Sequence, residues 1–320
     1  MNRARALRVL RWTGYPLVYL TTFVIGLTVF FPFQAVKQHH LELFNAKQKH
    51  GQRLSVEKLE GFWITGIRAQ KIKLASPTGD PSKPLSEIKA DEVTARLQLL
   101  PLLIGKKVVK FDAVVMGGTL SGSIELGSKE RVVDATLKGL ALGEVTPLTQ
   151  VLGLPMEGSL SGEVHLQFPE GRASKANGTL KLELADMAVG DGKSGLGLPK
   201  FNVGTLPIEA EVKDGTVTIS RFSVSGRDLD LQGAGKVILR DTSLAEAQSD
   251  VLLRFRFGEK YKSKDEKTIA LLGPRGLLEI SMANAKTAEG YFGQSITGPL
   301  GAPKFLPNQL ADSTLSKGKK

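Results

Sequence analysis

The chain has 320 residues, 35 glycines, no cysteine, 41% hydrophobic residues and a formal net charge of +11. That apolar content suffices for a core and excludes wholesale disorder. The missing cysteines exclude a disulfide framework, a thiolate metal site, an iron–sulfur cluster and a cysteine nucleophile.

The charge invites a nucleic-acid partner until it is mapped. Arg3, Arg5, Arg8 and Arg11 stand before residue 37 with no acid among them. Lys37, Lys47, Lys49 and Arg53 follow with only Glu42, and Lys317, Lys319 and Lys320 close the chain with only Asp312. Residues 54–311 retain 32 basic and 30 acidic side chains. The body is close to neutral, so no nucleic-acid partner is expected.

In chain order, a basic tail (1–11) comes first. Trp12–Phe33 then runs 22 residues without a charge. As a helix it would be about 33 Å long, enough for a hydrocarbon core of about 30 Å. The arginines before it predict a cytoplasmic N-terminus by the positive-inside rule. Trp12, Tyr15 and Tyr19 suit one interface, and Phe30, Phe31 and Phe33 the other. The run is too long for a signal-peptide core and lacks a small-residue cleavage site, so an uncleaved anchor is predicted. A basic juxtamembrane stalk (34–53) follows. Val36, His40, Leu43 and Phe44 share a face at helical spacing, which predicts a short helix over Gln34–His50. His39, His40 and His50 lack further ligands, and no metal site is expected.

From residue 54 to 307 the dominant period is two. Ile88 and Ala90, then Val93, Ala95 and Leu97, alternate with a one-residue slip, predicting a bulge near Glu92. Further alternation covers 159–168, 180–184, 229–239 and 251–257, and Leu278, Ile280 and Met282 extend it. One apolar and one wet face predict antiparallel sheet of about fifteen strands. Turns are predicted at Met116-Gly117-Gly118, Lys213-Asp214-Gly215 and Ala176-Asn177-Gly178. Short helices are predicted at Leu99–Gly105, Val145–Gly153 and Asp265–Gly273. Residues 308–320 form a flexible basic tail.

Gly118–Leu126 (GTLSGSIEL) and Gly158–Leu166 (GSLSGEVHL) share five of nine residues, forty positions apart. Each places a glycine mid-strand on the apolar face, where a missing side chain lets the sheet coil or a neighbour approach. The pair indicates an internal repeat.

Gly190, Gly192 and Gly195 match a dinucleotide fingerprint in form. Gly197 and Pro199 follow where a helix is needed, so this stretch is read as a loop. His165, the only histidine beyond residue 50, falls on a polar strand face. No nucleophile elbow or zinc-protease motif is present, and the chain is expected to be no enzyme and to need no cofactor.

LSVEKLEGFWITGIRAQKIKL (54–74) and IKADEVTARLQLLPLLIGKKVVKFDAVVMGGTLSG (88–122) resemble the start of AsmA-like proteins. ALGEVTPLTQVLGLPMEGSLSGEVHLQF (141–168) and SITGPLGAPKFLP (295–307) resemble type II secretion system protein N, the GspN family. The resemblance implies an elongated, coiled antiparallel sheet behind an inner-membrane anchor, with the body in the periplasm. It further implies an accessory or scaffold role beside other type II secretion subunits. The alternative is a lipid-binding or lipid-transporting groove for phospholipid, lined by Leu160, Val164, Leu166, Leu180, Leu182, Leu184, Leu229 and Leu231.

Overall fold

The computed structural model describes residues 33–47, 52–63, 65–76, 86–144, 154–193 and 199–311, with positions 22, 26, 197 and 315. The predicted helix over Val145–Gly153 lies outside them. The chain is mainly β. One antiparallel sheet takes its fourteen strands in sequence order, each pairing with the next. The strands are β1 (Arg53–Phe62), β2 (Gly66–Ser76), β3 (Ser86–Leu97), β4 (Lys107–Val115), β5 (Gly118–Leu126), β6 (Glu130–Ala141) and β7 (Met156–Pro169). They continue as β8 (Asn177–Val189), β9 (Phe201–Lys213), β10 (Thr216–Ser225), β11 (Leu229–Ile238), β12 (Gln248–Phe257), β13 (Phe292–Pro299) and β14 (Lys304–Pro307). Helix α1 (Phe33–Lys47) precedes β1, and α2 (Leu99–Leu103) joins β3 to β4. Helices α3 (Glu259–Lys262), α4 (Glu266–Leu272) and α5 (Leu277–Ser281) fill the β12–β13 connection.

Because every connection is antiparallel and sequential, the loops sort onto two ends of the sheet. Odd-to-even connections, including α2, lie at what is here termed the tip end. Even-to-odd connections, including α3–α5, lie at the cap end. The alternating pattern fixes the register, since a one-residue slip would exchange the faces of a whole strand. Met116 and Gly117 (φ 50° and 69°) turn β4 into β5, and Asp214 and Gly215 (φ 47° and 71°) turn β9 into β10, as the sequence predicts. The β3–β4 register shifts between Ala90 and Glu92, where the bulge was expected.

Two expectations fail locally. Ala176-Asn177-Gly178 is no turn: Glu170 and Gly171 turn the chain (φ 55° and 67°), and Asn177 already begins β8. The Asn177 side chain is spent on local bonding, donating to the Lys175 carbonyl and accepting from the Asp214 amide. Leu278, Ile280 and Met282 form no strand but lie in and just after α5. Three alternating residues also fit one helical turn, with Leu278 buried and Ile280 exposed. The Asp265–Gly273 helix does form, as α4. The Asp265 carboxylate caps the Thr268 amide, and the Thr268 hydroxyl bonds the Asp265 amide in return.

The two edges of the sheet differ. Helix α1 lies antiparallel along β1: Lys37 donates to the Glu57 carbonyl, while Asn45 both donates to the Leu54 carbonyl and accepts from its amide. These bonds satisfy backbone groups that an edge strand leaves open. They also rotate the helix away from its predicted apolar face. Val36, Lys37, Leu41 and Asn45 are half-buried, whereas His40, Leu43 and Phe44 are exposed. The opposite edge is β14, four exposed residues ending in Pro307.

The repeated segments become β5 and β7, both with their mid-strand glycine on the apolar face. A Cβ on Gly122 would stand 2.1 Å from the Asp134 carbonyl oxygen and 2.8 Å from the Phe111 ring. On Gly162 it would stand 2.2 Å from the Lys181 carbonyl oxygen and 2.9 Å from a Leu182 methyl. Gly122 thus makes room for a side chain of β4 and the backbone of β6, and Gly162 for both backbone and side chain of β8. Gly122→Val should cost about 1–3 kcal/mol by overpacking, read as a fall in thermal midpoint of the full chain in detergent. Asn45→Ala should leave the melt nearly unchanged while accelerating hydrogen exchange at the Leu54 amide. An unchanged Leu54 amide would show that α1 does not cover the edge.

Candidate binding surface

Cross-strand register assembles one apolar face from alternate residues of every strand. One row runs Ala95, Phe111, Gly122, Ala135, Val164, Leu180, Ala210, Ile219, Gly235, Val251, Ile296 and Phe305, one residue from each of twelve successive strands. Beside it runs Val93, Ala113, Leu120, Leu137, Gly162, Leu182 and Ile208. Each strand contributes little; continuity comes from pairing like with like.

This face is covered unevenly. At the cap end, helices α3–α5 fold over it and close a core. Leu142, Met156, Met187, Phe201, Val203, Leu206, Phe222, Leu229 and Phe257 pack there against Tyr261, Leu272 and Leu278. Phe257 stacks on Tyr261, with ring centroids 5.6 Å apart, and Phe201 meets both edge-on. The Tyr261 hydroxyl, on a side chain 1% exposed, donates to the Pro199 carbonyl and ties the cap to the chain entering β9. Burial, with lesser contributions from Asp228 and Asp265, pushes this phenol above its ordinary range. Over β3–β8, by contrast, the residues of the two rows are half-buried, Ala113 excepted. No second layer of described residues encloses them.

Six of the eight residues expected to line a groove meet as neighbours: Leu160 opposite Leu184, Val164 opposite Leu180, with Leu166 and Leu182 beside them. All six are half-buried. Leu229 and Leu231 stand apart on β11; Leu229 is part of the closed core, and Leu231, Leu160 and Leu184 pack against it, so Val164, Leu166, Leu180 and Leu182 are the expected groove residues that lie beyond the core. Among the described residues the apolar face is therefore a sealed core at one end and a surface without a covering layer along the rest. The anchor and topology residues, Arg3 to Phe30 and Phe31, lie outside the described residues, and Phe33 is the first residue of α1. Among the described residues no helix is long and apolar enough to cross a membrane.

The opposite face is wet. It carries an open depression of about 570 Å³ lined by Lys110, Asp112, Asp134, Glu163, His165 and Lys181, among others. His165 stands there with Nδ1 2.5 Å from Asp134 and Nε2 3.5 Å from the Gln167 amide, so both ring nitrogens face cross-strand or same-strand polar groups rather than a hydroxyl. Charges of both signs alternate across neighbouring strands. Near β12 this face is covered. Arg254, 5% exposed, bonds Glu289 and Gln232, and Tyr291 lies beneath both Arg254 and Arg256 with its centroid 4.6 and 4.5 Å away. The period-two pattern hinted at none of this cluster, because Arg254 reads as a wet-face residue and the segment covering it lies beyond the cap helices.

Gly190–Lys193 lies outside any helix among the described residues, and the next described element is strand β9. Among the described residues no three acidic or histidine side chains converge to hold a metal. No protein-family model, no curated protein and no solved structure matches the chain.

Leu182→Ser on the uncovered face should cost about 1 kcal/mol, and Leu206→Ser in the core about 3 kcal/mol or more, as read by thermal melts. Equal losses would mean that both leucines lie in one sealed core. Tyr261→Phe should cost about 1 kcal/mol by orphaning the Pro199 carbonyl. The raised phenol binds its proton more tightly in the folded chain, so its contribution is complete below pH ~10 and fades as pH rises further. The alkaline loss of stability should accordingly be smaller in Y261F.

Proposed function

We propose that this chain is a non-enzymatic binding protein of the bacterial inner membrane, with a cytoplasmic N-terminus, a single span at Trp12–Phe33 and its body in the periplasm. Its working surface is the uncovered apolar face of β3–β8. On the resemblance to the secretion protein N family, it serves the type II secretion machinery as an accessory or scaffold subunit. The observation that carries a binding role is the half-buried aliphatic row of β3–β8, which would gain most by meeting a partner. The short exposed edge β14 offers a second contact, through backbone hydrogen bonds to a partner strand. The finer architecture implied by the AsmA-like resemblance, an elongated and coiled sheet, is part of the same proposal; a right-handed twist accumulated over so many strands favours it.

A second reading is favoured by the chemistry of the row itself. Ala95, Phe111, Ala135, Val164 and Leu180 offer no hydrogen-bonding side chain. A peptide laid across them would find partners for its side chains but none for its amides, whereas an acyl chain needs none. Phospholipid is then the ligand, held in a groove open along its length.

Photo-crosslinkers placed at Val164 and Leu182 in secreting cells separate the two readings. Capture of secretion subunits, with loss of secreted exoenzymes on gene deletion, is the outcome expected for an accessory subunit. Phospholipid adducts with unchanged secretion would replace that reading by the lipid one. Neither adduct, with unchanged secretion, would overturn both.

A further inference from the structure

The most exposed apolar side chains lie neither on the sheet faces nor in the core, but at the tip end of its first strands. Helix α2 and the residue after it present Leu99, Leu100, Leu103 and Ile104 at 51, 80, 82 and 75% exposure. Trp63, in the β1–β2 turn, is 73% exposed. The two loops are joined directly: the Leu97 amide donates to the Thr65 carbonyl at 3.1 Å, and the Thr65 hydroxyl donates to the Leu97 carbonyl at 2.7 Å. Lys106 and Lys107 follow Gly105, both exposed, with the Lys106 ammonium 3.0 Å from the Glu125 carboxylate. Burying leucines is the usual reason for a sequence such as LLPLLI, yet none of these residues is spent on the fold.

The course of α1 says what this end faces. Asn45 is bonded at Leu54 and Lys37 at Glu57, so the start of the helix points along β1 toward Trp63. Phe33 lies about 6 Å beyond Lys37 at helical rise. Phe62 lies about 17 Å beyond Glu57 at strand rise. The β1–β2 turn therefore projects about 10 Å past the point where the apolar segment Trp12–Phe33 joins the described chain. With Phe33 in the interfacial layer, which is about 5–8 Å thick on each side, a projection of this length carries the turn through the headgroups to the edge of the hydrocarbon core. A tryptophan, a cluster of aliphatic side chains and adjacent lysines are the composition of an interfacial contact with anionic lipid.

We propose that the tip end of β1–β4 is a second membrane contact. Trp63 and α2 sit at the boundary between headgroups and acyl chains in the leaflet from which the body emerges, with Lys107 at the phosphates. The contact fixes the orientation of the sheet, so that the uncovered apolar face rises from the membrane surface instead of swinging on a single helix. It rests on the anchor reading of Trp12–Phe33, and the experiment separates the two.

The full chain, reconstituted in vesicles of phosphatidylethanolamine and phosphatidylglycerol, is examined through single tryptophans, since the sequence holds only two. W12F leaves Trp63, and L100W and I280W are each made in a W12F/W63F background. Ile280, 67% exposed in α5, is the cap-end control. Emission from Trp63 and from L100W should be blue-shifted and quenched several-fold more strongly than I280W by lipids brominated near the headgroup. Water-like emission at all three sites, in protein that resists alkaline carbonate extraction, would overturn the tip contact and leave the anchor standing. Quenching at I280W equal to that at Trp63 would overturn it too, because the body would then lie flat on the membrane. Release of the protein by carbonate would overturn the anchor and the contact together.

Discussion

The structure depends on one constraint: each strand pairs only with its sequence neighbours, so the apolar face must stay in register across every pairing. Alternation supplies that register, because a slip in any strand would carry its leucines to the wet side. The row from Ala95 to Phe305 is the physical result. Glycines at positions 122 and 162 belong to the same constraint. They sit on the apolar face where Phe111 and Leu182 lean across from the neighbouring strand and leave no room for a Cβ.

A flat single sheet cannot bury its own face, and the described residues cover this one only at one end. The β12–β13 connection folds three short helices onto the apolar side, where Tyr261 and its aromatic neighbours close the core. A core of this kind stabilises the later strands, β7–β12, and leaves β3–β6 to rely on ladder hydrogen bonds and half-buried cross-strand pairs. The uneven coverage is the reason a binding role is attractive. Surface that is apolar, continuous and unsealed carries a solvation cost that a ligand or partner can remove. The edges follow the same economy. One is masked by polar side chains of α1, and the other is kept to four residues that end in a proline.

Much of this was legible because it is periodic or chemically pointed. Strands such as Leu180–Leu184 and the bulge before Glu92 follow from period two. The turns at Met116-Gly117 and Asp214-Gly215 follow from residues that tolerate positive φ. The α4 helix announces itself through Asp265 and Gly273. The failures come where local pattern and tertiary context disagree. Leu278, Ile280 and Met282 alternate over too short a span to distinguish a strand from one helical turn. Asn177 and Gly178 look like a turn, yet they serve a strand entry. The α1 helix turns its half-buried side by satisfying the backbone of Leu54 and Glu57, not by burying Leu43 and Phe44. The candidate surface was half legible: β7 and β8 place six leucine and valine side chains together as expected, while Leu160 and Leu184 pack against, and Leu229 belongs to, a core whose lid begins thirty residues beyond Leu229. Alternation shows which face a residue takes, but not whether anything covers it.

The uncovered state of that face is the central claim, and the cysteine-free sequence makes it directly measurable. Single cysteines at Leu182 on the uncovered rows and at Phe257 in the core can be introduced into the full chain in nanodiscs and reacted with a small polar maleimide. L182C should be labelled readily, and F257C only on denaturation. Protection of L182C as complete as that of F257C, persisting after bound lipid is stripped, would show a sealed core along the whole sheet and contradict the account.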